Sequence, residues 1–371
     1  VTDIDDYRAG FLEEPGYLDY GRVGPISRAV QGELHATADI FARARFGSLA
    51  SLAHEDERVR AAASALTGFP ADRIAFQPST SQALMQVMFG LTGKVLLSPA
   101  EFPALPFAAQ RAAEALHVLE PVWLGTAHGK VTPSELREQL TDDVVAVAVS
   151  LVDSRTGYVA DLDGIRQVIG DRLLIVDAIQ GFGVVDAPWE VVDVLATGGQ
   201  KWVRAGWGTG FLALSERALG ALTPVFSGWV GTDVAEPYDM LVPPAHAARA
   251  FTVSHPDRVA QACLAAALEE IAAVGVPAIN AAVAEGVARV LELCDEFSIY
   301  VASSRAVNER AGIVVLEPEP EALTRLTASL FNHGITATTR GGAVRLSVHA
   351  ATSEETLGML RGAFTSYGSA Y

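Results

Sequence analysis

The chain has 371 residues, with 27 Lys plus Arg against 44 Asp plus Glu, a formal net charge of −17. Half of the residues are apolar and 19% are charged, which excludes a disordered or fibrous chain and leaves material for a large core. With a pI near 4.9, a general binder of phosphate backbones is excluded too, because that task needs clustered cations; no nucleic-acid partner is expected. At about 100–200 residues per domain, the length suggests one large and one smaller domain. No uninterrupted apolar run reaches the roughly 18 residues of a spanning helix, so no membrane partner is expected. The acidic start, VTDIDDYRAG, lacks the pattern of a signal peptide. Two cysteines, Cys263 and Cys294, and the absence of CxxC fit a reducing compartment, and the expected location is cytoplasmic.

Residues 1–25 are rich in Gly, Pro and Tyr and read as an extended lead-in segment. Residues 26–66 carry Ala-rich helical periodicity, with Val59, Ala62, Ala63 and Leu66 on one face. From about residue 72, strand and helix patterns alternate. Strands are expected at 74–77, 94–98, 144–152, 173–179 and 208–215, with helices at 82–91 and near 104–117. The runs VVAVAVSLV and LLIVDAI have the composition of strands buried on both faces of a parallel sheet. Pro, Gly and Trp crowd 224–244 as a long irregular stretch. An Ala-rich helix over about 257–274 stops at Gly275-Val276-Pro277. Beyond it, helices at 279–294, 320–333 and 353–364 alternate with the short strands GIVVLE and AVRLSVH. The expected organisation is therefore a large α/β domain over 26–275 and a small α+β domain over 276–371.

Lysine occurs only at positions 94, 130 and 201. Lys94 and Lys130 lie in glycine-containing turns and read as solvated loop charges. Lys201 follows Thr197-Gly198-Gly199-Gln200 and precedes Trp202. Glycines there let a ligand approach the backbone, and apolar neighbours would strip water from the amine and lower its pKa. Asp177 ends the run LLIVD, where open α/β sheets bind ligands, although it reads equally as a helix cap. Ser79-Thr80-Ser81, after a strand and before a helix, offers either a phosphate cradle or plain capping. In AVRLSVH, alternation puts Val344, Leu346 and Val348 on one face and Arg345, Ser347 and His349 on the other.

Taken together, the serine–threonine turn, Asp177 and Lys201 stand in the order and spacing of fold-type I pyridoxal-phosphate (PLP) enzymes. With VDAIQGFG and TGGQKWVRAGWGTGFL, the chain resembles the class V aminotransferase family, which includes cysteine desulfurases and kynureninases. The resemblance runs over nearly the whole length. It implies a large domain with a mostly parallel seven-stranded sheet between helices, a smaller C-terminal domain, and a homodimer with a shared active site. It also implies PLP as cofactor, held by Lys201 as an internal aldimine, with Asp177 at the pyridine nitrogen. By the same resemblance Gln180 contacts the ring's phenolic oxygen, Phe102 stacks on the ring, and Ser79, Thr80, Ser81 and Gln200 bind the phosphate. Arg345 matches the arginine that grips the substrate carboxylate. Gln200 stands where many relatives have histidine, Asp153-Ser154 replaces an asparagine-bearing stretch, and Ser254-His255-Pro256 stands where relatives often have Gly-Thr-Pro. Which of Ser254, His255 and Trp229 reaches a neighbouring subunit's cofactor is left open.

The implied activity is that of an aminotransferase acting on a small amino-acid substrate. The alternative is a PLP-dependent lyase or hydrolase of the kynureninase or C–S lyase kind. A cysteine desulfurase working through a mobile thiol is not expected, because NHGITATTRGGAV before the arginine strand holds no cysteine. A dinucleotide loop at Gly206-Trp207-Gly208-Thr209-Gly210 has the wrong order, since it leads into a strand instead of opening a helix. HEDER supplies no second ligand at helical spacing and no HExxH exists, so no metal site is expected. An inert PLP-fold interaction module is disfavoured by the presence of both Lys201 and Asp177.

Overall fold

A computed structural model describes residues 3–235 and 237–369. Among the described residues there are ten strands: β1 (Ile74–Phe76), β2 (Gly93–Leu97), β3 (Leu119–Trp123), β4 (Val144–Ser150), β5 (Leu173–Asp177), β6 (Val194–Gly198), β7 (Gly210–Leu214), β8 (Ile313–Leu316), β9 (Thr338–Arg340) and β10 (Ala343–Ser347). The first seven form one sheet in the order β1-β7-β6-β5-β4-β2-β3, and the last three a second sheet in the order β8-β10-β9. In the larger sheet only β7 runs against its neighbours. The carboxyl ends of β1, β2, β4, β5 and β6 therefore open on the same edge, where such sheets bind ligands.

The central strands are buried on both faces, which is why they read as continuous apolar runs. Val147 and Val149 of β4 face one core, with Leu174 and Val176 of β5. Ala146, Ala148 and Ile175 face the other, beneath the helices Thr80–Gly90 and Ala104–Leu116. Helix Arg258–Val274 packs against Arg28–Arg43 and His54–Thr67. The helical stretch expected over 26–66 is thus divided. Arg28–Arg43 ends at Ala44, whose φ of 42° is left-handed and cannot continue a helix. His54–Thr67 buries Val59, Ala62 and Ala63, as the periodicity predicts.

Helices Arg258–Val274 and Val276–Glu296 meet at Gly275 with an 84° bend, and no single described helix is long and apolar enough to cross a membrane. The second of the pair packs against β8. Residues 16–24 run between the two sheets. Leu18 C=O accepts from Ser347 N–H on β10 (2.7 Å), and Gly24 N–H donates to Gln200 C=O beside the lysine (2.8 Å).

Candidate active site

Lys201 sits on the loop between β6 and β7. Gly199 N–H donates to Thr209 C=O, and Arg204 N–H to Lys201 C=O, so the loop is tied at both ends. Gly198 is required here for close approach: a Cβ would lie 2.9 Å from Thr80 Oγ1 and 2.5 Å from Gln200 Oε1. The Lys201 side chain is buried, with Nζ 5.2 Å from the centroid of the Phe102 ring. Burial pulls its pKa down to about 8; Asp177 opposes that shift and Arg345 adds to it.

Asp177 ends β5, between Ser150 of β4 and Ala196 of β6 in the register. Its Oδ1 accepts from Ile179 N–H at 3.1 Å, a local turn that caps no helix. Burial raises its pKa to about 6, against the pull of the Ile179 N–H and Lys201. Gln180 Oε1 accepts from Trp202 Nε1 (2.9 Å), and Gln180 Nε2 donates to Gly21 C=O (2.9 Å). The side chain is thereby fixed between the lysine loop and residues 16–24.

Ser79 caps helix Thr80–Gly90, accepting from Gln82 N–H, so plain capping accounts for this hydroxyl. Thr80 is different: its Oγ1 is buried and has no protein partner. Ser81 is exposed and lines the same cavity. Phe102 is 38% exposed and follows Glu101, whose carboxyl accepts from Ser150 N–H (3.1 Å) and Oγ (2.5 Å). Burial, opposed by these two hydrogen bonds, pushes Glu101 up to about 7.

Arg345 on β10 donates from Nη1 to Ser154 C=O (3.0 Å) and from Nη2 to Thr338 Oγ1 (3.4 Å), and lies 3.8 Å from Asp19 Oδ1. Its Nε is buried without a partner. All nine residues expected at the site, Ser79, Thr80, Ser81, Phe102, Asp177, Gln180, Gln200, Lys201 and Arg345, line one cavity of about 410 Å³. His349, expected on the face of Arg345, does not line it. The strand ends at Ser347, and the ring of His349 stacks on Tyr20 and near Trp202 inside the core. Asp153 caps its own turn through Arg155 and Thr156 N–H groups, and only the Ser154 carbonyl reaches the site. Ser254 and His255 line a neighbouring cleft of about 640 Å³ that holds neither Lys201 nor Asp177. Trp229 packs edge-on against His255 at 4.8 Å.

Sequence reasoning missed Glu101, Arg22 and Arg340. Glu101 adjoins Phe102 in SPAEFPA, but its partner Ser150 is distant in sequence. For Arg340, the signal was the Gly341-Gly342 pair between two alternating stretches, a hairpin turn.

An amine on the loop after one strand, a carboxylate at the end of the neighbouring parallel strand and a helix start beside both define a fold-type I PLP enzyme. The Aminotransferase class-V family model matches residues 33–370, and the chain belongs to that family of PLP-dependent enzymes. It is 28% identical over 292 residues to the uncharacterized aminotransferase YcbU of Bacillus subtilis (strain 168), covering 76% of each chain. It is 32% identical over 225 residues to a kynureninase of Deinococcus radiodurans, a match spanning 57% of this chain and 53% of the kynureninase. Its fold is similar to that of an apo cysteine desulfurase from Thermococcus onnurineus NA1, with TM-score 0.83 and 21% identity over 98% of this chain and 97% of that one.

The residues present fit the cofactor PLP. The orphaned Thr80 hydroxyl and the first-turn N–H groups of its helix are donors suited to a phosphate. Asp177 suits a protonated ring nitrogen, and Lys201 an aldehyde.

Proposed function

We propose that this chain is an aminotransferase acting on a small amino acid, with PLP carried by Lys201. The observation that carries the reading is the buried Lys201 amine, with a pKa brought down to about 8, sharing one cavity with Asp177 and Arg345. Bound PLP supplies an electron sink for the charge that develops when a bond at the substrate's α carbon breaks. Lys201 Nζ would hold the cofactor's aldehyde carbon and, when free, would move the substrate's α proton. At pH 7 roughly a tenth of a group with such a pKa is neutral, the form able to attack an aldehyde carbon. Asp177 keeps a proton at the pyridine nitrogen. Thr80, the first turn of Thr80–Gly90 and Gln200 would hold the phosphate, with Ser79 and Ser81 beside them, Phe102 would pack on the ring and Gln180 would contact the phenolic oxygen. Arg345, whose side chain lines the cavity, would receive the substrate carboxylate.

The kynureninase match supports a second reading, a PLP-dependent lyase or hydrolase using the same groups. A desulfurase working through its own thiol is disfavoured. Cys263 and Cys294 are buried in helix packing, line no part of the cavity, and burial pushes their thiols up to about 11 and about 12. The same two free thiols support a cytoplasmic location. The exposed apolar side chains Trp229, Tyr238, Met240 and Leu241 support a homodimer. The bend at Gly275 supports a boundary between a large and a small domain there, with residues 1–25 as lead-in. Supplying amino donors with a 2-oxo acid tests the reaction. Pyridoxamine phosphate and a new amino acid are expected, whereas ammonia release without amino transfer would establish the lyase instead, and side-chain cleavage with neither ammonia nor amino transfer the hydrolase.

A further inference from the structure

The cationic groups of the cavity outnumber what one amino-acid carboxylate requires, the cofactor's phosphate having its own donors in Thr80, the first turn of its helix and Gln200. The cavity's charged lining residues are Arg22, Arg340, Arg345, Lys201 and Asp177, four cations to one carboxylate in a chain of net charge −17. Lys201 and Asp177 are committed to each other's neighbourhood. Arg22, Arg340 and Arg345 remain, and the buried Asp19 is shared by two of them, 4.0 Å from Arg22 and 3.8 Å from Arg345, with Oδ1 also accepting from Thr338 at 2.6 Å. Arg22 and Arg340 each help to lower the pKa of Arg345, so both lie within its electrostatic reach.

The hairpin explains why Arg340 faces the cavity. Arg345 pairs with Thr338, and Ala343 with Arg340, across the antiparallel β9–β10 ladder. Residues 338 and 340 are two apart, so their side chains leave the same face as Arg345. Gly341 and Gly342, at φ 60° and 86°, close the turn and pin this register. Arg22 arrives from the turn after Asp19, which bridges Ser347 at the far end of the same strand. Both side chains are exposed at the cavity rim, so holding them there costs little desolvation.

Resting on the proposal that Arg345 receives the α-carboxylate, we infer that Arg22 and Arg340 form a second anion subsite. It selects an amino acid, or its 2-oxo acid, whose side chain ends in a carboxylate or similar anion. Isothermal calorimetry on the PLP-loaded enzyme at low salt tests this with two unreactive five-carbon acids, glutarate and pentanoate. Glutarate should bind at least about tenfold more tightly, the value of one charge-assisted contact. In the double variant Arg22→Gln/Arg340→Gln that preference should fall below about threefold, with an unchanged melting temperature because both side chains are exposed. Equal affinity in the unaltered protein, no measurable binding of either acid, or a preference that survives the double variant overturns the inference. Failure of the underlying reading appears separately, as an Arg345→Gln variant that binds pentanoate as well as the unaltered protein.

Discussion

Replacing Lys201 by methionine should stabilise the cofactor-free fold while abolishing the cofactor's attachment. The amine is buried, and its pKa falls from 10.5 to about 8, so the native state binds fewer protons than the unfolded chain between those values. Stability must therefore rise with pH across that window. The cost of keeping this side chain is about 3 kcal/mol at pH 7 and about 1 kcal/mol near pH 9.5. Methionine has similar length and no charge. Asp177 loses an opposite charge in the exchange and becomes harder to ionise, which takes back part of the gain and leaves about 2 kcal/mol at pH 7. Urea unfolding of both apoproteins at about pH 7 and about pH 9.5 measures it. A variant less stable than its parent, or an advantage that does not shrink on the alkaline side, would refute the argument that desolvation sets this amine's pKa.

Glu101 gives the opposite slope. Its pKa rises from 4.5 to about 7, so the native state holds extra protons in that window and stability falls as pH rises through it. Glu101→Gln should remove up to about 3 kcal/mol of that fall, read as a flatter stability profile between about pH 5 and pH 7.5. Gly24→Ala would place a Cβ 2.1 Å from the Lys201 carbonyl oxygen. It should cost about 1–3 kcal/mol in denaturant unfolding and weaken PLP binding in an absorbance titration. Arg345→Gln should raise the KM of the amino donor by about ten- to a hundredfold with a smaller change in kcat, as steady-state kinetics will record.

β4 and β5 were legible because burial on both faces leaves unbroken apolar runs, and so were the helices Thr80–Gly90 and Ala104–Leu116, whereas the crossover helices Pro133–Gln139 and Leu162–Ile169 were not named. Three strands were not. β3 is an edge strand interrupted by Pro121 and Glu120, β6 ends in the small residues of VLATG, and β9 is the polar TTR beside a glycine pair. Lys201 and Asp177 stood out by type and setting, yet their pairing and the role of Arg345 came from family resemblance, since residues so far apart acquire a common cavity only through strand order. Glu101 and Arg340 were hidden for the same reason, as each gains its meaning from a partner on another strand. The misplacement of His349 came from extending strict alternation two residues beyond the end of β10.

One short stretch of backbone, residues 16–24, is stitched to Gln200 on one side and to Ser347 on the other. It works as a gauge block between the lysine loop and the arginine hairpin, so the span available to a bound molecule is written in its length. Adding or deleting a residue there would displace Asp19, Gly21 and Arg22 together, and with them the partners of Arg345 and Gln180.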